Sequence, residues 1–127
     1  MSVDVQTGAT LADAGLTHDD ARELLWHLKR CRAFDERMES LYRQGRLPGA
    51  IYSGRGQEGT HCGVTLPLEA DDALLVTHRD LSAQLTKGLD LQRVMAQFWG
   101  RIDGYTRGRD GNSHIGDWQR NRTWTVM

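Results

Sequence analysis

Between residues 21 and 42 the apolar side chains recur at three- and four-residue spacing: Ala21, Leu24, Leu25, Leu28, Cys31, Phe34, Met38, Leu41 and Tyr42. Only a helical period keeps such a series on one face, so this stretch folds as a helix or leaves its stripe in water. It also needs something to pack against, because helices draw most of their stability from tertiary burial of such a face. Thr17, with Asp20 three residues on, reads as the N-cap, and Asp19 adds negative charge to the first turn. Gly45 and the Leu47-Pro48-Gly49 turn stop the run, so a helix is predicted over residues 17–46. Its other face carries Arg22, Glu23, Lys29, Arg30, Asp35, Glu36, Glu39 and Arg43 and is expected to meet water.

The elements beyond it are short. A second helix is predicted over 57–66, closed by Pro67, and two more over 81–87 and 91–99. Residues 73–77 read as a short buried strand, and 122–126 have the β-branched and aromatic character of another. Five glycines (Gly100, Gly104, Gly108, Gly111 and Gly116) make residues 100–117 a long loop, a length that is usually functional or disordered. Residues 1–16 are small and polar and are expected to form a flexible arm. A chain of 127 residues holds at most one complete domain. Two short strands do not make a stable sheet alone, so residues 17–127 are expected to be an incomplete domain of a longer natural chain.

Charge and cysteine content narrow the function classes. With 16 Lys and Arg against 17 Asp and Glu, the chain is not a basic, DNA-coating protein. Only residues 101–127 tilt positive, five Arg against three Asp, which suggests a local anion site. Two cysteines provide neither a disulfide framework nor a four-ligand metal site, and Cys31, on the apolar helix face, is expected to be a buried thiol. No secretory signal pattern and no membrane-length apolar run is present, so a cytoplasmic protein without membrane or nucleic-acid partners is expected.

Of the five histidines, none shows metal-ligand spacing; His18 and His27 are expected at a helix start and flank, on the surface. His78-Arg79-Asp80 directly follows the 73–77 strand, where α/β sheets bind ligands and where a His-Arg pair suits an anion. A plain surface cluster fits the spacing equally well. Residues 107–114 (RGRDGNSH) combine glycine amides with Arg and Ser donors that suit phosphate oxygens, or form a flexible loop of the RNA-binding kind. Neither a P-loop nor a dinucleotide fingerprint is present. Glu58 reads as an ordinary first-turn acid.

Taken in order, several segments resemble one family. They are Leu41-Tyr42-Arg43-Gln44-Gly45-Arg46-Leu47-Pro48-Gly49, Gly56-Gln57-Glu58-Gly59-Thr60-His61-Cys62-Gly63, Thr77-His78-Arg79-Asp80, Lys87-Gly88-Leu89, Val94-Met95-Ala96-Gln97, Gly100-Arg101 and Gly108-Arg109-Asp110-Gly111-Asn112-Ser113-His114. The set is similar to the alpha subunit of the first, decarboxylating component of the 2-oxo acid dehydrogenase complexes, over roughly its first third. The resemblance implies an α/β thiamine-diphosphate-binding fold, mostly helical over this stretch, in an alpha-beta heterotetramer. It implies oxidative decarboxylation of a small 2-oxo acid, with acyl transfer to a lipoyl-bearing acyltransferase component.

The resemblance also implies roles for individual residues. Arg79 matches the family's diphosphate-binding Arg, His78 stands where the family usually has Tyr, and His114 matches a catalytic-loop histidine near the cofactor. Tyr52 falls at a cofactor-pocket position that is His in pyruvate-type members, and Leu81 replaces another of their histidines. Both departures, with Gly59-Thr60-His61 and the Arg122-Thr123-Trp124-Thr125-Val126 segment, favour the branched-chain type. The family's magnesium motif, Gly-Asp-Gly followed by paired asparagines, has no counterpart here: the nearest strings are Gly116-Asp117-Trp118 and Asp110-Gly111-Asn112. The magnesium ligands therefore lie outside this chain, and the chain alone is expected to be inactive. The competing reading is a non-catalytic helical module whose Arg/Gly-rich loop binds RNA or a protein.

Overall fold

Helix α1 spans His18–Arg43 in the computed structural model, whose described residues are 10–126. Its start follows from two side chains. The Thr17 hydroxyl accepts from the Asp20 N–H at 3.1 Å, and the Asp20 carboxylate accepts from the Thr17 N–H at 2.8 Å. The helix stops at Arg43 rather than residue 46, because Gly45 (φ +67°) turns the chain and Arg46 N–H returns to Leu41 O at 3.0 Å. Ahead of α1, residues 10–16 form a hydrogen-bonded turn closed by Leu16 N–H on Leu11 O at 2.9 Å. Most of the expected N-terminal arm, residues 1–9, lies outside the described residues.

The stripe of α1 is buried in its second half. Cys31, Phe34, Met38 and Leu41 enter the core, and Leu24 and Leu28 pack against its edge. Leu25 and Tyr42 do not follow: they are 50% and 43% exposed, since each sits one residue, about 100° of helix, beyond a core neighbour. Two expectations for the polar side also fail, because His27 and Asp35 are buried. Asp35 lies four residues after Cys31 and three before Met38, which puts it on the core side of the helix.

Short helices close over that face: α2 (Glu58–Thr65), α3 (Leu81–Thr86) and α4 (Leu91–Phe98). Asp90 caps α4 by accepting from Arg93 N–H at 2.9 Å. Phe98 of α4 meets Phe34 edge-on, with ring centroids 5.7 Å apart. Cys62 of α2 is fully buried with Cys31, and burial pushes the Cys31 thiol up to about 11, so it packs as an inert thiol.

The sheet has three strands, β1 (Leu74–Val76), β2 (Gly116–Asp117) and β3 (Thr123–Thr125), in the order β1-β3-β2. β1 runs parallel to β3, with Val76 opposite Thr125, and β2 runs antiparallel to β3. A one-turn helix, α5 (Trp118–Asn121), links β2 to β3 and was not foreshadowed by any periodicity. Pleating turns Thr123 and Thr125 toward the core, where Gln84 of α3 donates to the Thr123 hydroxyl at 3.1 Å. It turns Leu75 outward, 60% exposed, so the stretch expected as a buried strand is an edge strand buried on one face only. Among the described residues no helix is long and apolar enough to cross a membrane.

Candidate active site

The carboxyl end of β1 leads straight into a tight turn, Thr77-His78-Arg79-Asp80, and then into α3. Asp80 fixes that turn from both sides. Its Oδ2 accepts from the Thr77 N–H and hydroxyl, each at 2.8 Å, and its Oδ1 lies 3.1 Å from His61 Nε2 of α2. His78 is half-buried, with its ring edge-on to Tyr52 at 4.7 Å between centroids. Arg79 is exposed and, among the described residues, makes no ion pair. Gly54, two residues after Tyr52, passes so near the Arg79 carbonyl oxygen that a Cβ there would not fit.

Tyr52 and His78 share one cleft with Asp35, Thr77 and Ser113. His114 opens onto a neighbouring cleft whose wall includes Tyr52, Ser113 and Gly49. The structure thus brings Tyr52 and His78 together, sets Arg79 beside them at the strand end, and places His114 across the Tyr52–Ser113 wall. The glycine-rich stretch that carries His114 is a run of turns pinned at named points. Gln97 of α4, fully buried, donates to Gly111 O at 2.9 Å and accepts from Thr106 N–H at 2.9 Å. Asn112 donates to Ala50 O at 2.6 Å, tying the loop to the segment before Tyr52. The His114 Nδ1 lies 2.6 Å from the Asp110 carboxylate, which the Gly111 amide and His114 together hold below the usual carboxylate range. Arg107, in the left-handed region at φ 57°, and Arg109 line a separate cleft with His114 and Trp124.

Two acids of the site region escaped the sequence reading. Glu58 is no ordinary first-turn acid: Arg32 grips it with two donors, Nε at 2.6 Å and Nη2 at 3.0 Å, and Gly56 N–H adds a third at 3.0 Å. The Arg32 fork, chief among these, holds the Glu58 carboxyl down at about 2. Asp35 shows the reverse. Burial, with Glu58 and Glu39 nearby, raises it to about 6, and its Oδ2 is buried without a partner. The helical spacing 31, 35, 38 held the signal for Asp35; nothing local marked Arg32 as the partner of Glu58.

Among the described residues no cluster of three His, Cys, Asp or Glu side chains is disposed to hold a metal ion. The turn after β1 offers donors of the kind that suit a diphosphate. Arg79 presents a planar cation with no ion-pair partner among the described residues, and His78 adds a ring donor from the same turn at the end of a parallel strand.

The family model described as "Dehydrogenase E1 component" matches residues 27–125. The chain is similar to the alpha subunit of acetoin:2,6-dichlorophenolindophenol oxidoreductase from Bacillus subtilis (strain 168), at 32% identity over 80% of the chain and 31% of that protein. It is similar to the pyruvate dehydrogenase E1 component subunit alpha of Zymomonas mobilis at 32% identity, over 80% of the chain and 30% of that protein. The chloroplastic pyruvate dehydrogenase E1 component subunit alpha-3 of Oryza sativa is 30% identical over 84% of the chain and 25% of its own length. The chain therefore spans between a quarter and a third of these relatives. With 99 of its 127 residues inside the family model and the strand-end turn, Tyr52 segment and glycine-rich loop all within that match, the chain belongs to the dehydrogenase E1 component family.

Proposed function

We propose that this chain forms the N-terminal part of a thiamine-diphosphate-dependent alpha subunit that oxidatively decarboxylates a small 2-oxo acid. The observation that carries the reading is the turn after β1, which presents Arg79, without an ion-pair partner among the described residues, next to the Tyr52–His78 ring pair. Arg79 holds the diphosphate through its guanidinium fork, which is charged at every working pH. His78 adds one directional contact, and its edge-on packing against Tyr52 restricts where the imidazole reaches. Gly54 and Asp80 hold the backbone of this turn in place.

The chemistry that thiamine diphosphate supplies when bound is a stabilised carbanion; the protein orients it and excludes water. His114 acts in proton transfer near the substrate: with its Nδ1 hydrogen donated to Asp110, Nε2 is left to exchange a proton. Magnesium is held by residues outside this chain, the aminopyrimidine is activated by a beta subunit, and the acyl group passes to a lipoyl-bearing acyltransferase component. Alone, the chain is inactive. Tyr52 and Leu81 support a branched-chain substrate, and the setting is cytoplasmic.

The test is release of carbon dioxide from 2-oxo acids by the assembled enzyme, alpha subunit with beta subunit, before and after thiamine diphosphate is stripped and restored. Strict dependence on the cofactor, with branched-chain 2-oxo acids outpacing pyruvate, is expected. A second reading, oxidation of acetoin, is favoured by the name of the Bacillus subtilis relative; reduction of 2,6-dichlorophenolindophenol driven faster by acetoin than by any 2-oxo acid would move the substrate there. No turnover of either class, together with RNA binding at physiological salt, would replace both with the interaction-module reading.

A further inference from the structure

Gln97 sits in the last turn of α4, three residues after Val94 and beside Phe98, and like both it is buried. The reading above gives it no part. A polar side chain at such a position costs free energy unless its donors and acceptors are met. Here they are met by the two ends of one loop. Oε1 accepts from the Thr106 N–H at 2.9 Å, and Nε2 donates to Gly111 O at 2.9 Å. The Thr106 hydroxyl lies within 3.0 Å of both amide atoms. A backbone donor on one side and a carbonyl on the other call for a carboxamide, and they set which way round it lies. Gly104 makes room for it: a Cβ there would stand 2.8 Å from the Gln97 N and Cα and 3.0 Å from Oε1.

The Gly111 carbonyl is a shared acceptor. Besides Gln97 Nε2 it takes the backbone N–H of His114 at 3.1 Å. The residue before it, Asp110, accepts from the Gly111 N–H at 2.7 Å and meets His114 Nδ1 at 2.6 Å, both through Oδ1. The Asp110 carbonyl itself lies 3.4 Å from Gln97 Nε2. His114 is therefore held by its backbone and by its ring, and both holds run through the two residues that the Gln97 amide meets. We propose that Gln97 is a positioning residue for His114: its buried carboxamide clamps Thr106 to Gly111 and so fixes the carbonyl and the carboxylate that hold the histidine. The proposal deepens the thiamine-diphosphate reading and rests on it for its consequence in turnover, though not for the clamp. At 1% exposure, with both amide atoms bonded to the loop, Gln97 has nothing left for a ligand, so its effect on the site passes through Asp110 and Gly111.

The clamp has two ends, and two substitutions separate them. Gln97→Met keeps length and bulk and releases both. Gln97→Glu keeps an acceptor for Thr106 but sets an oxygen where Gly111 O needs a donor. The experiment is hydrogen exchange by mass spectrometry on the unliganded assembled enzyme, with a thiamine diphosphate titration and turnover alongside. In Gln97→Met, exchange over residues 105–114 should rise about tenfold while α1 stays unchanged. In Gln97→Glu the rise should be confined to residues 110–114. Turnover at saturating cofactor should fall about tenfold in both variants, since a misplaced His114 slows its proton transfer. The cofactor dissociation constant should stay within twofold of wild type, because Arg79 holds the diphosphate from another element. A packing role alone would give another pattern: Gln97→Met tolerated, and no division between the ends of the loop. Unchanged exchange over 105–114 in Gln97→Met, loosening of α1 along with the loop, or full turnover with a loosened loop would overturn the proposal. If Gln97→Met fails to assemble, Gln97→Glu carries the same comparison alone. Loosening as expected in an enzyme whose wild type binds no thiamine diphosphate would leave the clamp standing and remove the cofactor reading instead.

Discussion

Glu58 and Asp35, the two acids of the site region, are shifted in opposite directions. The carboxyl of Glu58, held at about 2, contributes stability that is complete above its ordinary value of 4.5 and is lost as pH falls toward 2. Asp35, raised to about 6 from 3.8, is proton-hungry in the fold, so its penalty is full above pH 6 and disappears as pH falls toward 3.8. Unfolding free energies measured from pH 7 down to pH 2.5 should therefore show a shallow gain between 6 and 4 that Asp35→Asn abolishes. They should also show a steep loss below 4.5 that Glu58→Gln flattens. At neutral pH Glu58→Gln should cost about 1–3 kcal/mol, less than a fully enclosed pair, because the Arg32 side chain is 45% exposed. An acid limb unchanged in Glu58→Gln would mean that Arg32 does not hold this carboxylate. Helical spacing held a signal for the burial of Asp35, but the hold on Glu58 was not legible, because its partner is set by tertiary packing: Arg32 and Glu58 are 26 residues apart. The place of His78 and Arg79 at a strand end was legible for the opposite reason, since a strand followed at once by His-Arg is a local pattern.

At the scale of elements, the long helix shows how far periodicity reaches. The Thr17–Asp20 capping box and the buried set Cys31, Phe34, Met38 and Leu41 follow directly from spacing. The flanks do not, because whether Leu25 or Asp35 is covered depends on where the short helices come to rest. Phe34→Ala should cost about 3–5 kcal/mol in thermal or denaturant unfolding, since it removes a ring packed edge-on against Phe98. Leu28→Ala should cost less, about 1–2 kcal/mol, because Leu28 is only partly buried, and Leu25→Ala should stay within about 0.5 kcal/mol. Equal losses at all three positions would contradict the burial gradient along the stripe. The glycine-rich stretch was legible as a loop and as nothing more. What orders it is Gln97, a polar residue buried on an otherwise apolar helix face, and the close approach of Gly104 to the Gln97 backbone.

At the scale of the molecule, the described residues cover the sheet on one face only. Gln84 of α3 bonds to Thr123 beneath the sheet, while Leu75 and Trp124, opposite one another in register, stand 60% and 52% exposed on the other face. A sheet face of that kind calls for a covering layer, so the chain by itself should self-associate, and Leu75→Lys with Trp124→Lys should reduce that in sedimentation velocity. A well-behaved monomer unaffected by either substitution would contradict this. The central claim, however, rests on the turn where β1 ends. Arg79→Ala, measured by calorimetric titration of thiamine diphosphate into the assembled enzyme, removes one charge-assisted anchor and should raise the dissociation constant roughly ten- to a hundredfold. A dissociation constant within twofold of wild type would contradict the assignment of this strand end to the cofactor diphosphate.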